Sequence, residues 1–191
     1  MKGFIAGLAA AAIVVFAVYR IGLVSSGPRF DTSAPAVVRQ VRSLQRLETV
    51  VYAMDKIVAG GYENRYLPRM LAGDRLLLIV YGDVTAGVDL GRVEASSLNI
   101  DGRTVRLTLP AAEVFSTRID NQRTRVYSRE TGLFSSVDPD LETDVRKEAE
   151  RQVRQAALDG GILETAAANA SATLKSFLQG LGFQHVEIRT K

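Results

Sequence analysis

The richest run of chemistry-bearing side chains lies between Arg118 and Arg129. If Arg123–Arg129 is a strand, Arg123, Arg125, Tyr127 and Arg129 share one face, because side chains two apart point the same way. Arg118 lies close by in the chain. Four guanidinium groups cannot be buried without partners. They could pair with Asp120, Glu130 and carboxylates elsewhere, or grip phosphate or anionic lipid headgroups through bidentate hydrogen bonds. Arg118, Arg123, Arg125, Tyr127 and Arg129 are therefore the candidate anion-binding set.

Other candidates carry less. His185 is the single histidine. Alternation places it beside Glu187, an arrangement suited to proton transfer, but no nucleophile stands near it, so it is expected at the surface. The acidic run Asp138, Asp140, Glu142, Asp144 lacks the glycine that lets a calcium loop turn sharply. It opens a helical pattern instead, where carboxylates favour the helix N-terminus. Gly87 and Gly91 flank Val88, Asp89 and Leu90 without the further glycine of a dinucleotide loop or the Gly-Lys of a P-loop, so they read as a turn or bulge.

The composition narrows the field further. The 191 residues include no cysteine and no tryptophan. This excludes disulfides, thiolate metal sites and a cysteine nucleophile. A single histidine excludes a two-histidine zinc motif, and no G-x-S-x-G elbow is present. No cofactor and no catalytic residue are expected. Lys+Arg 24 against Asp+Glu 21 give a net charge of +3. Without Lys2 and Arg20 the remainder is nearly neutral, and it holds no groove-reading motif, so nucleic acid is not an expected partner. An enzyme working through two carboxylates alone is the residual catalytic possibility.

The elements that must position these groups emerge from periodicity. Every residue from Phe4 to Tyr19 is apolar or glycine, and Ile21–Val24 continue the run after Arg20. About 20 such residues cross a bilayer core. Tyr19 and Arg20 suit its interface, where the arginine can snorkel. Residues 1–24 are therefore expected to form an uncleaved transmembrane anchor, a cleaved signal peptide being the competing reading. Within it, Gly3, Gly7 and Ala11 have the spacing that lets two spans approach closely. Charge at the two flanks leaves orientation open; signal-anchor precedent places the body outside the cytoplasm.

Residues 25–42, with Pro28 and Pro35, read as a linker, and residues 43–191 as one domain. Leu44–Val58 reads as a buried strand, although a helical stripe also fits it. Residues 60–74 read as a loop. Arg75–Tyr81 is the strongest strand, Gly82-Asp83 a turn, and Val84–Leu90 another strand. Ser97–Ile100 and Thr104–Leu109 flank Asp101-Gly102, a hairpin signal. Val105, Leu107 and Leu109 should point inward. Val114–Ile119 and Arg123–Ser128 come next as strands. Asp138-Pro139 should start a helix, with Leu141, Val145, Ala149, Val153 and Ala156 inward. Gly160-Gly161 breaks it, a second helix runs to Gly182, and Phe183–Arg189 closes the chain as a strand. The expected class is α+β: a mostly antiparallel sheet carrying two C-terminal helices and a final strand.

The phrases GDRLLLIVYGDVTAGVDL (73–90), TLPAAEVF (108–115), IDNQRTRVYSRETGLF (119–134), LETDVRKEAERQVRQAAL (141–158), GILETAAANA (161–170) and LGFQHV (181–186) occur in that order. On these, residues 43–188 resemble the domain-of-unknown-function 4230 family. The resemblance implies a protein anchored by one N-terminal span, and brings no activity, ligand or catalytic residue with it. The expected role is a membrane-anchored structural or interaction protein, non-enzymatic, held in lipid by its N-terminal helix, with a homo-oligomer or another protein as partner. The alternative is an anionic-ligand or lipid-headgroup binder using the arginine face.

Overall fold

The computed structural model describes residues 33–63, 71 and 73–191. The expected anchor and its glycine motif lie outside these residues. Among the described residues no helix is long and apolar enough to cross a membrane.

The chain enters through α1 (Ala34–Ser43), with Pro35 in its first turn, where the missing N–H costs nothing. Its Val37, Val38 and Val41 are buried. The folded body thus takes in part of the stretch expected as linker: an apolar stripe comes after Pro35 at helical spacing, and the proline starts a helix rather than preventing one. Gln45, at φ 51, ends the turn after α1, and its carbonyl accepts the Leu90 N–H at 2.8 Å.

Two long strands form the spine of the first sheet. β1 (Arg46–Glu63) and β2 (Gly73–Asp89) pair antiparallel along nearly their whole length. Gly60 to Glu63, Gly73 and Asp74 therefore belong to strands, not to the expected loop. Gly82-Asp83 does not turn the chain either; β2 runs through it unbroken. The glycine serves another purpose. A Cβ at Gly82 would stand 2.9 Å from the Arg118 carbonyl oxygen and 3.1 Å from Val153 Cγ1, so its absence lets a helix press onto the sheet.

The far side of β2 is shared by two shorter strands. β5 (Glu113–Ile119) pairs with Gly82–Gly87 and β6 (Arg125–Thr131) with Asp74–Ile79, both antiparallel. Together they form one edge, interrupted at Asp120–Thr124. The interruption is pinned by hydrogen bonds. The Asp120 N–H donates to the Tyr81 carbonyl at 2.8 Å and Thr124 N–H to the Asp120 carbonyl at 2.9 Å. Asp120 Oδ1 accepts from the N–H groups of Gln122 and Arg123.

A second sheet holds β3 (Leu98–Asp101), β4 (Thr104–Leu109) and β7 (His185–Thr190). The β3–β4 hairpin turns at Gly102, φ 57, as the Asp-Gly pair predicts. The final strand pairs parallel with β4. The strands thus divide between two sheets rather than forming the one expected. Val105, Leu107 and Leu109 are buried as alternation requires.

Helices α2 (Leu141–Asp159) and α3 (Ile162–Gly180) cover one face of the first sheet. α2 begins at Leu141, after the Asp138-Pro139 start expected. Asp138 is drawn away from capping: its Oδ1 accepts the Asp140 N–H at 2.8 Å and its own N–H donates to Asp74. Leu141, Val145 and Ala149 meet Val58, Leu76, Leu78 and Val80. Val153, Ala157, Ile162 and Ala166 meet Val84 and Ala86. Ala157, not Ala156, is the residue buried in the last turn. Between the helices Gly161 takes φ 76, a conformation glycine adopts without strain. The second half of α3, Ala170, Leu174 and Leu178, leaves the first sheet and joins Val105, Leu107, Leu109 and the α1 valines in a separate core. Each buried Leu or Val contributes about 1.5–3 kcal/mol, so α3 draws its stability from both sheets.

Candidate functional site

The helices occupy one face of the first sheet and leave the other open. Even-numbered residues of β2 from Asp74 to Val88 are buried; Leu77, Ile79, Tyr81 and Asp83 lie on the opposite face, half-covered. Register sets Ile57 beside Ile79, Asp55 beside Tyr81 and Val51 beside Thr85 on this face. Ile57 is 70% exposed and Val51 59%.

Three of the candidate arginines reach this open face. Arg118 stands opposite Asp83 and Arg125 opposite Ile79. Arg123 emerges from the interruption between β5 and β6 and lies over the Tyr81 ring, 4.2 Å from its centroid, a favourable cation–π distance. Around it is a shallow cleft lined by Asp55, Asp83 and Asp120 as well as Tyr81. An anion approaching Arg123 therefore meets three carboxylates.

Arg129 does not share that face. The β2–β6 register shifts between Leu77 and Leu78, with Ser128 opposite Leu77 and Val126 opposite Leu78. Tyr127 is the extra residue, and a bulge of this kind redirects all side chains beyond it. Tyr127 is left 70% exposed. Arg129 falls opposite Leu76, on the helix side. There its Nη2 donates to Asp74 Oδ2 at 2.5 Å and its Nε to Asp74 Oδ1 at 3.2 Å. Asp74 also accepts from Thr131 Oγ1 at 2.8 Å and from the Asp138 N–H at 2.9 Å. The Arg129 guanidinium, opposed by burial and helped by the Asp138 and Thr131 donors, holds this carboxyl far below the usual carboxylate range. All of its acceptor capacity is spent on protein groups, and the network ties β2, β6 and the entry to α2 together.

The remaining titratable candidates are engaged elsewhere. His185 is exposed at the start of β7, and Glu187 pairs with Arg106 at 3.2 Å. Glu142 pairs with Arg146 at 2.9 Å. Asp144 receives Lys147 at 3.3 Å and the Tyr62 hydroxyl at 3.1 Å, and this carboxylate raises the Tyr62 pKa. Among the described residues no three His, Asp or Glu side chains converge as a metal ion would require.

A second basic cluster lies on α2, where the sequence places Arg146, Lys147, Arg151 and Arg154 among Glu142, Glu148 and Glu150 as a solvated, salt-bridged face. Lys147, Arg151 and Arg154 recur at i, i+4 and i+7 on α2 and face Phe115–Thr117 of β5 across a second shallow cleft. Arg151 pairs with Glu148 on its own helix. Thr117 Oγ1 is buried beside this cleft without a hydrogen-bond partner among the described residues.

A feature the sequence does not reveal is an edge. β1 pairs with β2 alone, and among the described residues no strand lies along its other side. Near its start the edge is covered: Asn169 Nδ2 donates to the Thr49 carbonyl at 3.0 Å, where the register with β2 shifts. From Val50 onward no strand among the described residues pairs it. Natural edges are blunted by proline, bulges, shortness or inward charge. Beyond Thr49, β1 has no proline, and Lys56 is its one inward-facing charge.

The profile of the family described as "Protein of unknown function (DUF4230)" matches residues 39–188. The chain belongs to that family. The match starts within α1 and ends within β7, so the DUF4230 body takes in both sheets and all three described helices. No curated protein and no solved structure matches the chain.

Proposed function

We propose that this DUF4230 protein is a non-enzymatic interaction protein, anchored by one N-terminal span with its body outside the cytoplasm, that binds a protein partner by strand addition at β1. The observation that carries the reading is the outer edge of β1, along which no strand lies among the described residues, bordered by exposed Val51 and Ile57. Strand addition satisfies such an edge through main-chain hydrogen bonds, while alternate side chains set specificity. The near-neutral body and the 20-residue-scale apolar segment at residues 4–24 support residence at a membrane without a nucleic-acid role.

The alternative, an anion site on the arginine strand, has less support. Arg129 is committed to Asp74, and Arg118 and Arg123 stand among carboxylates.

Amide hydrogen exchange on the full chain tests the reading. In native membranes the edge-facing amides of Val50–Val58 should exchange at least tenfold more slowly than in dilute detergent. Equal exchange in both would overturn strand addition. Protease accessibility of the body in spheroplasts tests the orientation; digestion only after lysis would reverse it.

A further inference from the structure

Resting on the strand-addition reading, we infer that the partner is a second copy of this chain, paired antiparallel through β1 about a two-fold axis at Met54. Register decides where the axis falls. For two copies to extend a single sheet with helices on the same side, residues facing each other across the join must share a face. This restricts the axis to pass through a residue rather than between two. Each choice of residue sets a different pattern of neighbours.

An axis at Asp55 places that carboxylate opposite its own copy, and an axis at Lys56 does the same for the ammonium. Like charges directly opposite destabilise a pair. An axis at Ala53 sets apolar Val51 against Asp55 and Val50 against Lys56. An axis at Ile57 carries the pairing past Ala59 into Gly60 and Gly61, which offer no side chains. An axis at Met54 sets no like charges and no glycines across the join, and its one apolar–charged pairing involves only the small Ala53. It sets Val51 against Ile57 twice, covering the two most exposed large apolar side chains of the strand. It sets Val50 against Val58 and Ala53 against Asp55. Lys56, the inward charge, meets the Tyr52 ring, a cation–π partner. The paired stretch, Val50–Val58, begins where the Thr49 carbonyl is taken by Asn169 and ends before the glycines. The open, regular part of the edge and the self-complementary part are the same nine residues.

Because the chain contains no cysteine, introduced thiols report this geometry without background. Full-length Val51→Cys and Ile57→Cys chains, carrying different tags, are co-expressed and treated in native membranes with mild oxidant or a short bis-maleimide. Directly opposed antiparallel residues have Cβ atoms about 4.5–5.5 Å apart, within reach of either linkage. The expected result is a heterodimer adduct at least tenfold more abundant than that from the Val51→Cys with Ala59→Cys mixture, which reports the Asp55-centred register. Equal yields, or adducts only from Ile57→Cys with itself, would overturn the Met54 axis. Val51→Lys, at an exposed position, should keep the wild-type far-UV circular dichroism and sediment as a monomer where the wild type sediments as a dimer; an unchanged dimer would also overturn it. If edge amides are protected in membranes while no thiol pair links, strand addition stands and the second copy is excluded.

Discussion

Arg129 reaches across the β6–β2 pair to hold both carboxylate oxygens of Asp74, at 2.5 and 3.2 Å. It can do so only because the bulge at Tyr127 turns it toward the helices. Removing the carboxylate strands the guanidinium, the Thr131 hydroxyl and the Asp138 N–H together. Asp74→Ala should lower unfolding stability by about 2–3 kcal/mol, read from urea denaturation midpoints at pH 7. A loss under about 0.5 kcal/mol would show that water replaces the carboxylate.

The same pair sets an acid dependence. The folded Asp74 pKa lies below its unfolded value near 4. Between the two, the unfolded chain binds a proton that the folded chain does not, so stability rises with pH through that window. The contribution is complete above about pH 5 and fades as pH falls below about 4. Thermal melts from about pH 7 to about pH 2.5 should show a shallower acid decline for Asp74→Asn than for the wild type. Parallel curves would assign the acid sensitivity to other carboxylates.

Gly82 sits where α2 presses on the sheet. Gly82→Ala places a methyl 3.1 Å from Val153 Cγ1 and 2.9 Å from the Arg118 carbonyl oxygen. Overpacking of this kind costs about 1–3 kcal/mol. Combining it with Val153→Ala should recover part of the loss, as coupled neighbours do. Strict additivity of the two costs would mean that only the strand backbone yields.

Thr117→Val is expected to stabilise. The buried Oγ1 has no partner among the described residues, and replacing an unpaired hydroxyl with a methyl of similar shape returns about 1 kcal/mol. A rise of several degrees in Tm supports this. A fall would show that the hydroxyl is hydrogen-bonded in solution.

Much of this architecture is written in local patterns. The Asp-Gly hairpin, the alternation of Val105, Leu107 and Leu109 and the helical stripe from Leu141 to Val153 all rest on neighbours a few residues apart, and all stand in the structure. What local pattern could not convey depends on distant partners. Gly82 resembles a turn residue until Val153 is seen above it. The arginine strand reads as one face until the β2 register inserts Tyr127 as an extra residue. α1 hides behind prolines because its valines join a core with residues such as Leu90 and Leu98, far along the chain. The edge of β1 that no described strand pairs is invisible locally for the same reason, since pairing is a property of the whole topology.

The division of α3 between two cores has a mechanical consequence. Its first half rests on the sheet that carries β1, and its second half on the core that includes α1. Tension applied to the chain ahead of Ala34 enters through α1 and reaches β1 by two routes: the backbone from Gln45, and α3 acting as a beam. Asn169, which reaches from that beam to the Thr49 carbonyl at 3.0 Å, is where the second route meets the exposed strand.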